Sequence, residues 1–344
     1  MSGNNRKIYI GHHLCFFELK MARIYQKLLK PLVYAGLAAI ALSPAAGCRE
    51  KAIEQAMTTP GITQTVASSP QCTLNFHQVK AGSISPRAYL SEMEHCLPEA
   101  ADAHASGMLG GFLYQPSDSE LEQVLTGLFS GRPEEEVQAI VQANIDSYNE
   151  LEGDAAGTIL PAIAGAFGQG TPVYVAFKEK LFSSPQINND ADVRSIIIHE
   201  VQHVKDWYAG IDLPGMHLSY NTISPETISK DFLEHLLEFR AVYAELEDIF
   251  RERVDTGSSP VSPEWFGSRA EDYFLYWTFI EKRPTTELET RIREAQLGQY
   301  QGIVPEIREG ELLIKFDLFG KQDVLYLKQR SPDSDCSEAK KLNQ

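Results

Sequence analysis

Ser195-Ile-Ile-Ile-His-Glu-Val-Gln-His-Val-Lys-Asp-Trp207 holds two histidines, His199 and His203, four residues apart, with Glu200 directly after the first. On an α-helix that spacing stacks both imidazoles on one face, so both can reach a single ion. Glu200 then sits beside the place that a water activated by the ion would take. The flanks suit such a helix. Ile196, Ile197, Ile198, Val201 and Val204 supply an apolar face, and Asp190 or Asp192 supplies an N-cap. The competing reading is an amphipathic helix with two incidental histidines, but a chance HExxH seldom falls inside an apolar, capped helix.

Two histidines do not complete a catalytic zinc site, which takes three protein ligands and keeps one open position. The metzincin continuation, a glycine and a third histidine, is excluded because Asp206 and Ala209 stand at those positions. A glutamate on a later helix is the other common source. Leu236-Leu-Glu-Phe-Arg-Ala-Val-Tyr-Ala-Glu245 offers Glu238, 35 residues after His203. That distance is enough for a loop and a returning antiparallel helix. Ala241 and Ala244 would let the second helix approach the first closely. Glu234 and Glu245 share the face and are rivals, and His217 and His235 are further alternatives.

HExxH with a later glutamate resembles the gluzincin branch of zinc metallopeptidases. The finer texture, HExxHxxD from His199 to Asp206 and ExRA from Glu238 to Ala241, is similar to processing peptidases of mitochondrial ATP-synthase subunits and to bacterial zincins. The thermolysin-like ExxxD is absent, since Val242 stands at its last position. The resemblance implies one Zn2+ held by His199, His203 and Glu238, with Glu200 as general acid/base. It also implies an antiparallel edge strand that pairs with extended peptide, for which Val173, Tyr174 and Val175 are the natural candidates. Asp206 and Glu245 are expected to orient the imidazoles. Tyr208, Tyr220 or Tyr243 is expected to face the oxyanion.

The body of the chain is acidic. Residues 1–48 carry six Lys/Arg and one acid, leaving 25 basic and 46 acidic residues beyond them, a net of −21. Such a surface repels phosphate backbones, which argues against nucleic acid as a partner.

Residues 1–48 read as a leader. Met21 opens a better-formed start, followed by Arg23, Lys27 and Lys30, an apolar run over residues 31–43, and Ala45-Ala46-Gly47-Cys48. Small residues before a cysteine resemble the lipobox of bacterial lipoproteins. They imply lipidation at Cys48 and an envelope protein held on a membrane by its N-terminal lipid. Arg49 in place of Asp points to the periplasmic face of the outer membrane. An ordinary cleaved signal and a short membrane anchor are the alternatives. Cys72 and Cys96 are candidates for one disulfide in an exported chain, with Cys336 a competitor and two free thiols the alternative.

The expected fold class is α+β, predominantly helical: a zincin-like catalytic domain over residues 76–330 with a small antiparallel sheet and a C-terminal β-hairpin. Residues 49–75 read as a tether and residues 331–344 as a disordered tail. Helices are expected from Pro86 to Cys96, Ser119 to Leu128, Pro133 to Leu151, Ser224 or Asp231 to Val254, Pro263 to Lys282, and over residues 285–299. Thr171–Phe177 is the clearest strand, and residues 311–317 and 323–328 read as the hairpin. The Trp265–Phe279 aromatic stripe reads as core.

The function expected is hydrolysis of peptide bonds in the cell envelope, with peptide or protein as substrate. A non-catalytic zincin-fold lipoprotein and a zinc amidase acting on a cell-wall substrate are the alternatives.

Overall fold

The computed structural model describes residues 72–73, 75–150, 157–160, 171–219, 227–257, 259–308 and 311–328. The leader with Met21 and Cys48, most of the tether, Tyr220, Cys336 and the tail lie outside the described residues. The chain begins with α1 (Phe76–Lys80), α2 (Pro86–Cys96), α3 (Pro98–Ala105), β1 (Leu109–Tyr114), α4 (Asp118–Leu128) and α5 (Glu134–Glu150). Then come β2 (Gly157–Leu160), β3 (Val173–Phe177), α6 (Lys180–Ser183), α7 (Asp190–Ala209) and the pair β4 (Ile211–Leu213) and β5 (Met216–Leu218). Three helices follow: α8 (Lys230–Thr256), α9 (Pro263–Lys282) and α10 (Glu287–Gln299). A meander of β6 (Ile303–Arg308), β7 (Glu311–Leu318) and β8 (Lys321–Lys328) ends the described chain.

The class is α+β and mostly helical. Among the described residues no helix is long and apolar enough to cross a membrane. The C-terminal hairpin forms over Glu311–Lys328 and gains β6 as a third antiparallel strand. Cys72 and Cys96 are joined by a disulfide with their Cα atoms 5.3 Å apart. The bond ties the last residues before the domain to the end of α2.

β3 departs from its expected role. The sheet order is β1-β3-β2, with β1 parallel and β2 antiparallel to β3, so the sheet is mixed and β3 is its central strand. Tyr174 and Val175 are paired on both backbone edges, by β1 and β2, and Val173 is paired by β1, so β3 is not the edge strand that the sequence suggested. Both faces are covered as well. Val173, Val175 and Phe177 enter the main core, while Ala176 and Tyr174 pack against α4 and α5. The Tyr174 ring lies over Gly110 of β1, where an added Cβ would come within 2.4 Å of it. A strand buried on two faces reads as an unbroken apolar run, which is why it dominated the sequence reading. Among the described residues the sheet's edges are β1 and β2, and α7 packs against β2 and β3.

The helix α7, which carries His199 and His203, is anchored at its start by three side chains. Asn189, not either aspartate, is the N-cap, accepting from the backbone N–H of Asp192. The aspartates serve other segments. Asp190 accepts from Phe76 N–H at 2.7 Å and the Tyr89 hydroxyl at 2.9 Å. Asp192 accepts from Asn188 N–H and from Ser262 N–H, the residue before α9. At the other end Gly210 closes the helix at φ 82, where a Cβ would lie 2.6 Å from the Leu218 carbonyl oxygen. That position needs glycine.

Glu289 plays a similar part for α8. Its buried carboxylate accepts from the backbone N–H and hydroxyl of both Ser229 and Thr285, at 2.5–2.7 Å, and from Thr286 N–H at 3.1 Å. Burial would raise its pKa, but these donors outweigh burial and hold it at about 2. A depressed carboxylate stabilises the fold above its unfolded pKa, and that contribution is lost as pH falls from the ordinary range towards about 2. Glu289→Gln should therefore cost about 3 kcal/mol at pH 7. Urea titrations at pH 7 and pH 3 should show the difference from wild type shrinking at the lower pH.

Candidate metal centre

α7 and α8 face each other through polar rungs. Arg194 meets Asp248 at 2.7 Å, His199 Nδ1 meets Glu245 at 2.6 Å, His203 meets Glu238 at 3.5 Å, and Arg240 meets Asp206 at 2.8 Å. Rising numbers on one helix pair with falling numbers on the other, so the two are antiparallel. Val193, Ile197, Val201 and Val204 on α7 and Phe239, Val242 and Leu246 on α8 are fully buried in the core that the two helices share.

At the middle of this seam three ligand groups converge. His199 Nε2 and His203 Nε2 are 3.1 Å apart, and each faces its own Glu238 oxygen, at 3.4 and 3.5 Å. Zinc bonds of ~2.0–2.1 Å in a tetrahedral site set its ligand atoms ~3.3–3.4 Å apart. The observed triangle fits three corners of that tetrahedron. Its donor set, two imidazoles and a carboxylate, is one that zinc favours. The imidazole side chains are 13 % and 10 % exposed and Glu238 is 36 % exposed. The site therefore opens to solvent past the carboxylate, as a fourth, open position requires.

The other sequence candidates have different partners. Glu234 pairs with Lys230, His217 with Asp212, and His235 bonds the Asp231 carbonyl while stacking on Phe279. Glu245 stands behind His199. One carboxylate oxygen meets His199 Nδ1 at 2.6 Å and the other accepts from the Ser195 hydroxyl at 2.6 Å. Ser195 in turn accepts from Trp265 Nε1 at 3.0 Å. With Nδ1 donating to Glu245, the Nε2 lone pair of His199 points into the site. Burial would lower the His199 pKa, but Glu238 and Glu245 outweigh it and hold it well above the ordinary value. Burial likewise raises Glu238, and its contacts with the imidazoles reverse the effect and pull it well below the carboxylate range.

Asp206 does not orient an imidazole. It is 1 % exposed, accepts two bonds from the Arg240 guanidinium at 2.8 and 2.9 Å, and accepts a third from Gln202. Arg240 also donates to the Tyr300 hydroxyl at 2.7 Å. The terminal D of HExxHxxD and the R of ExRA are thus each other's partners. They fasten α7 to α8 one turn from His203 and half a turn from Glu238.

Glu200 is 8 % exposed. Burial raises its pKa; the two imidazoles oppose that, and Glu238 and Glu245 add to it. A group the sequence reading missed lies on α9. Arg269 approaches Glu245 at 3.9 Å and pairs with Asp272 at 2.6 Å. One turn on, Tyr276 has its phenol pushed well above the usual range by burial and by Glu238 and Asp272. The i, i+3, i+7 spacing of these three was visible, but they sit inside an aromatic run that reads as core. Tyr243 packs instead against Tyr273 and Tyr300. A polar cavity of about 170 Å³ between Glu99, Gln202, Lys205, Glu247, Asp248 and Arg251 includes none of the site's four side chains.

Two measurements probe this arrangement. Arg240→Met leaves Asp206 buried without its cation and should cost about 3–5 kcal/mol in urea unfolding. The double variant with Asp206→Leu should recover much of that loss. Glu245→Gln should weaken zinc binding by about 10–100-fold in competition with a chromophoric chelator, because the orienting charge is gone while the ligands remain. No family model, curated protein or solved structure matches the chain.

Proposed function

We propose that the chain is a zinc-dependent metallopeptidase of the bacterial cell envelope, tethered by lipid on Cys48. The observation that carries the reading is the triangle of His199, His203 and Glu238, with Glu200 next in sequence and the Glu245 carboxylate behind His199. A purely structural site has no use for a base beside it or for an open corner.

When bound there, zinc would lower the pKa of a water towards ~7 and polarise the scissile carbonyl. The chain's own groups do the rest. Glu200 accepts the proton of the attacking water and delivers it to the leaving amine. Its burial keeps that proton from exchanging with bulk solvent. Glu245 holds the His199 ring in the tautomer that presents Nε2. Tyr276, whose phenol is raised by burial and then by Glu238 and Asp272, is our candidate to face the developing oxyanion. Extended substrate pairs with an edge strand, and β2 replaces β3 in that role because it is antiparallel to β3, packs beside α7 and has one edge unpaired among the described residues. The basic, apolar and small-residue blocks ending at Cys48 support export and lipid anchoring.

Glu200→Gln tests the reading. Zinc content should stay at the wild-type level while hydrolysis of envelope peptides falls about 10²–10⁴-fold. Comparing the envelope proteome of cells carrying either form should show uncleaved substrate accumulating with the variant. Full activity in Glu200→Gln would sink the assignment.

A further inference from the structure

A second cluster of ligating groups lies at the corner between α2 and α3, on residues the peptidase reading does not use. Glu94 and His95 end α2, and His104 ends α3. One ligand atom from each lies within 4.8 Å of the others. His104 Nδ1 is 3.1 Å from Glu94 Oε1, and the two imidazole rings lie edge to face with centroids 5.3 Å apart. The pair at His199 and His203 has nearly the same relation, edge to face at 4.7 Å.

Three features hold these groups in place before any ion arrives. The other Glu94 oxygen accepts from Phe112 N–H of β1 at 3.1 Å, so the carboxylate is aimed by the sheet. Cys96, next to His95, is locked by its disulfide to Cys72. The turn between the helices is short, with Leu97 the C-cap of α2 and Pro98 already inside α3. A carboxylate oriented by a backbone donor and two imidazoles on short, pinned helix ends form a prepared site. Its exposure differs from that of the first site: Glu94 is 13 % and His104 41 % exposed.

We propose that Glu94, His95 and His104 form a second metal site, one that takes a divalent ion of the zinc, copper or nickel class and exchanges it with solvent. Imidazole with one carboxylate selects this class over calcium or magnesium, which take oxygen donors. An ion there would bridge α2, α3 and, through Glu94, the outer edge of β1. It would stabilise that corner without touching Glu238.

The test is calorimetric titration of Zn2+ into the metal-stripped full chain. Wild type should take two ions, the second at least tenfold more weakly than the first. His203→Ala, which disables the first site, should keep the weaker event and a zinc-dependent rise in melting temperature. Adding His95→Ala and His104→Ala to it should abolish both. These two histidines are on the surface, so the metal-free melting temperature of the triple variant should match that of His203→Ala. The proposal is overturned if His203→Ala binds no zinc, or if the triple variant binds as much as His203→Ala. Either result leaves the peptidase assignment standing, and loss of that assignment through Glu200→Gln leaves this one untouched.

Discussion

The buried ion pair between Asp206 and Arg240 sets the register of the two helices that carry the site. Taking both charges out of water is costly, and the geometry offsets that because all three guanidinium nitrogens and both carboxylate oxygens have partners. The guanidinium forks onto both carboxylate oxygens and reaches the Tyr300 hydroxyl, while Gln202 fills a remaining lone pair. A slip of α8 by one residue along α7 would break these bonds together. An apolar seam alone tolerates such slips, because one aliphatic side chain can replace another at modest cost. Polar rungs make the register specific. Arg194 with Asp248 and Glu252 repeats the device at the other end of the seam.

Between those fixed ends lies a concentration of negative charge. Glu200, Glu238, Glu245 and Asp272 share a small volume with one guanidinium, Arg269. Arg269 and the His199 ring face these carboxyls; burial would lower the His199 pKa, and Glu238 and Glu245 outweigh it and raise it. A divalent cation held there would meet Glu238 and both imidazoles at once. Glu245 keeps its function in either state, because its partner is the far side of the His199 ring.

Much of this was legible in the chain, and the parts that were not share a physical cause. Pro86 and Pro263 mark helix starts through backbone restrictions that act locally, and those boundaries fall where the local signals put them, whereas α8 runs two residues past the expected Val254 to its left-handed cap at Gly257. Glu238 was one of three glutamates that the sequence offered on that face, favoured for the small residues beside it, and it is the one that lies against His199 and His203. β1 was missed because Gly110 and Gly111 interrupt its pattern, and the glycine there exists to admit the Tyr174 ring from the next strand. β2 is four residues long, too short for a periodic signal. The role of Asp206 was misassigned for another reason. An acid one turn after a histidine is equally placed to orient that histidine or to reach across to a second helix. Only the position of Arg240 in space decides between them. The same holds for Arg269, Asp272 and Tyr276, whose polar face is hidden in sequence by the aromatic residues between them.

Placing ligand and orienting acid on one helix has a consequence for precision. Glu238 and Glu245 are seven residues apart, two turns of α8, and so project to the same side. One reaches the front of the imidazole pair and the other the back of His199. Rotating α8 about its axis would withdraw both at once, so the Glu245 contact reports on the ligand's alignment as well as on the ring. α7 has no comparable freedom, because Asp190 and Asp192 pin its first turn to α1, α2 and the start of α9. A site built on two helices, one pinned and the other registered against it by buried charge, has its His-His-Glu triangle set by the fold before any ion arrives. A loop-borne third ligand would have to be ordered by the ion itself, at the expense of affinity.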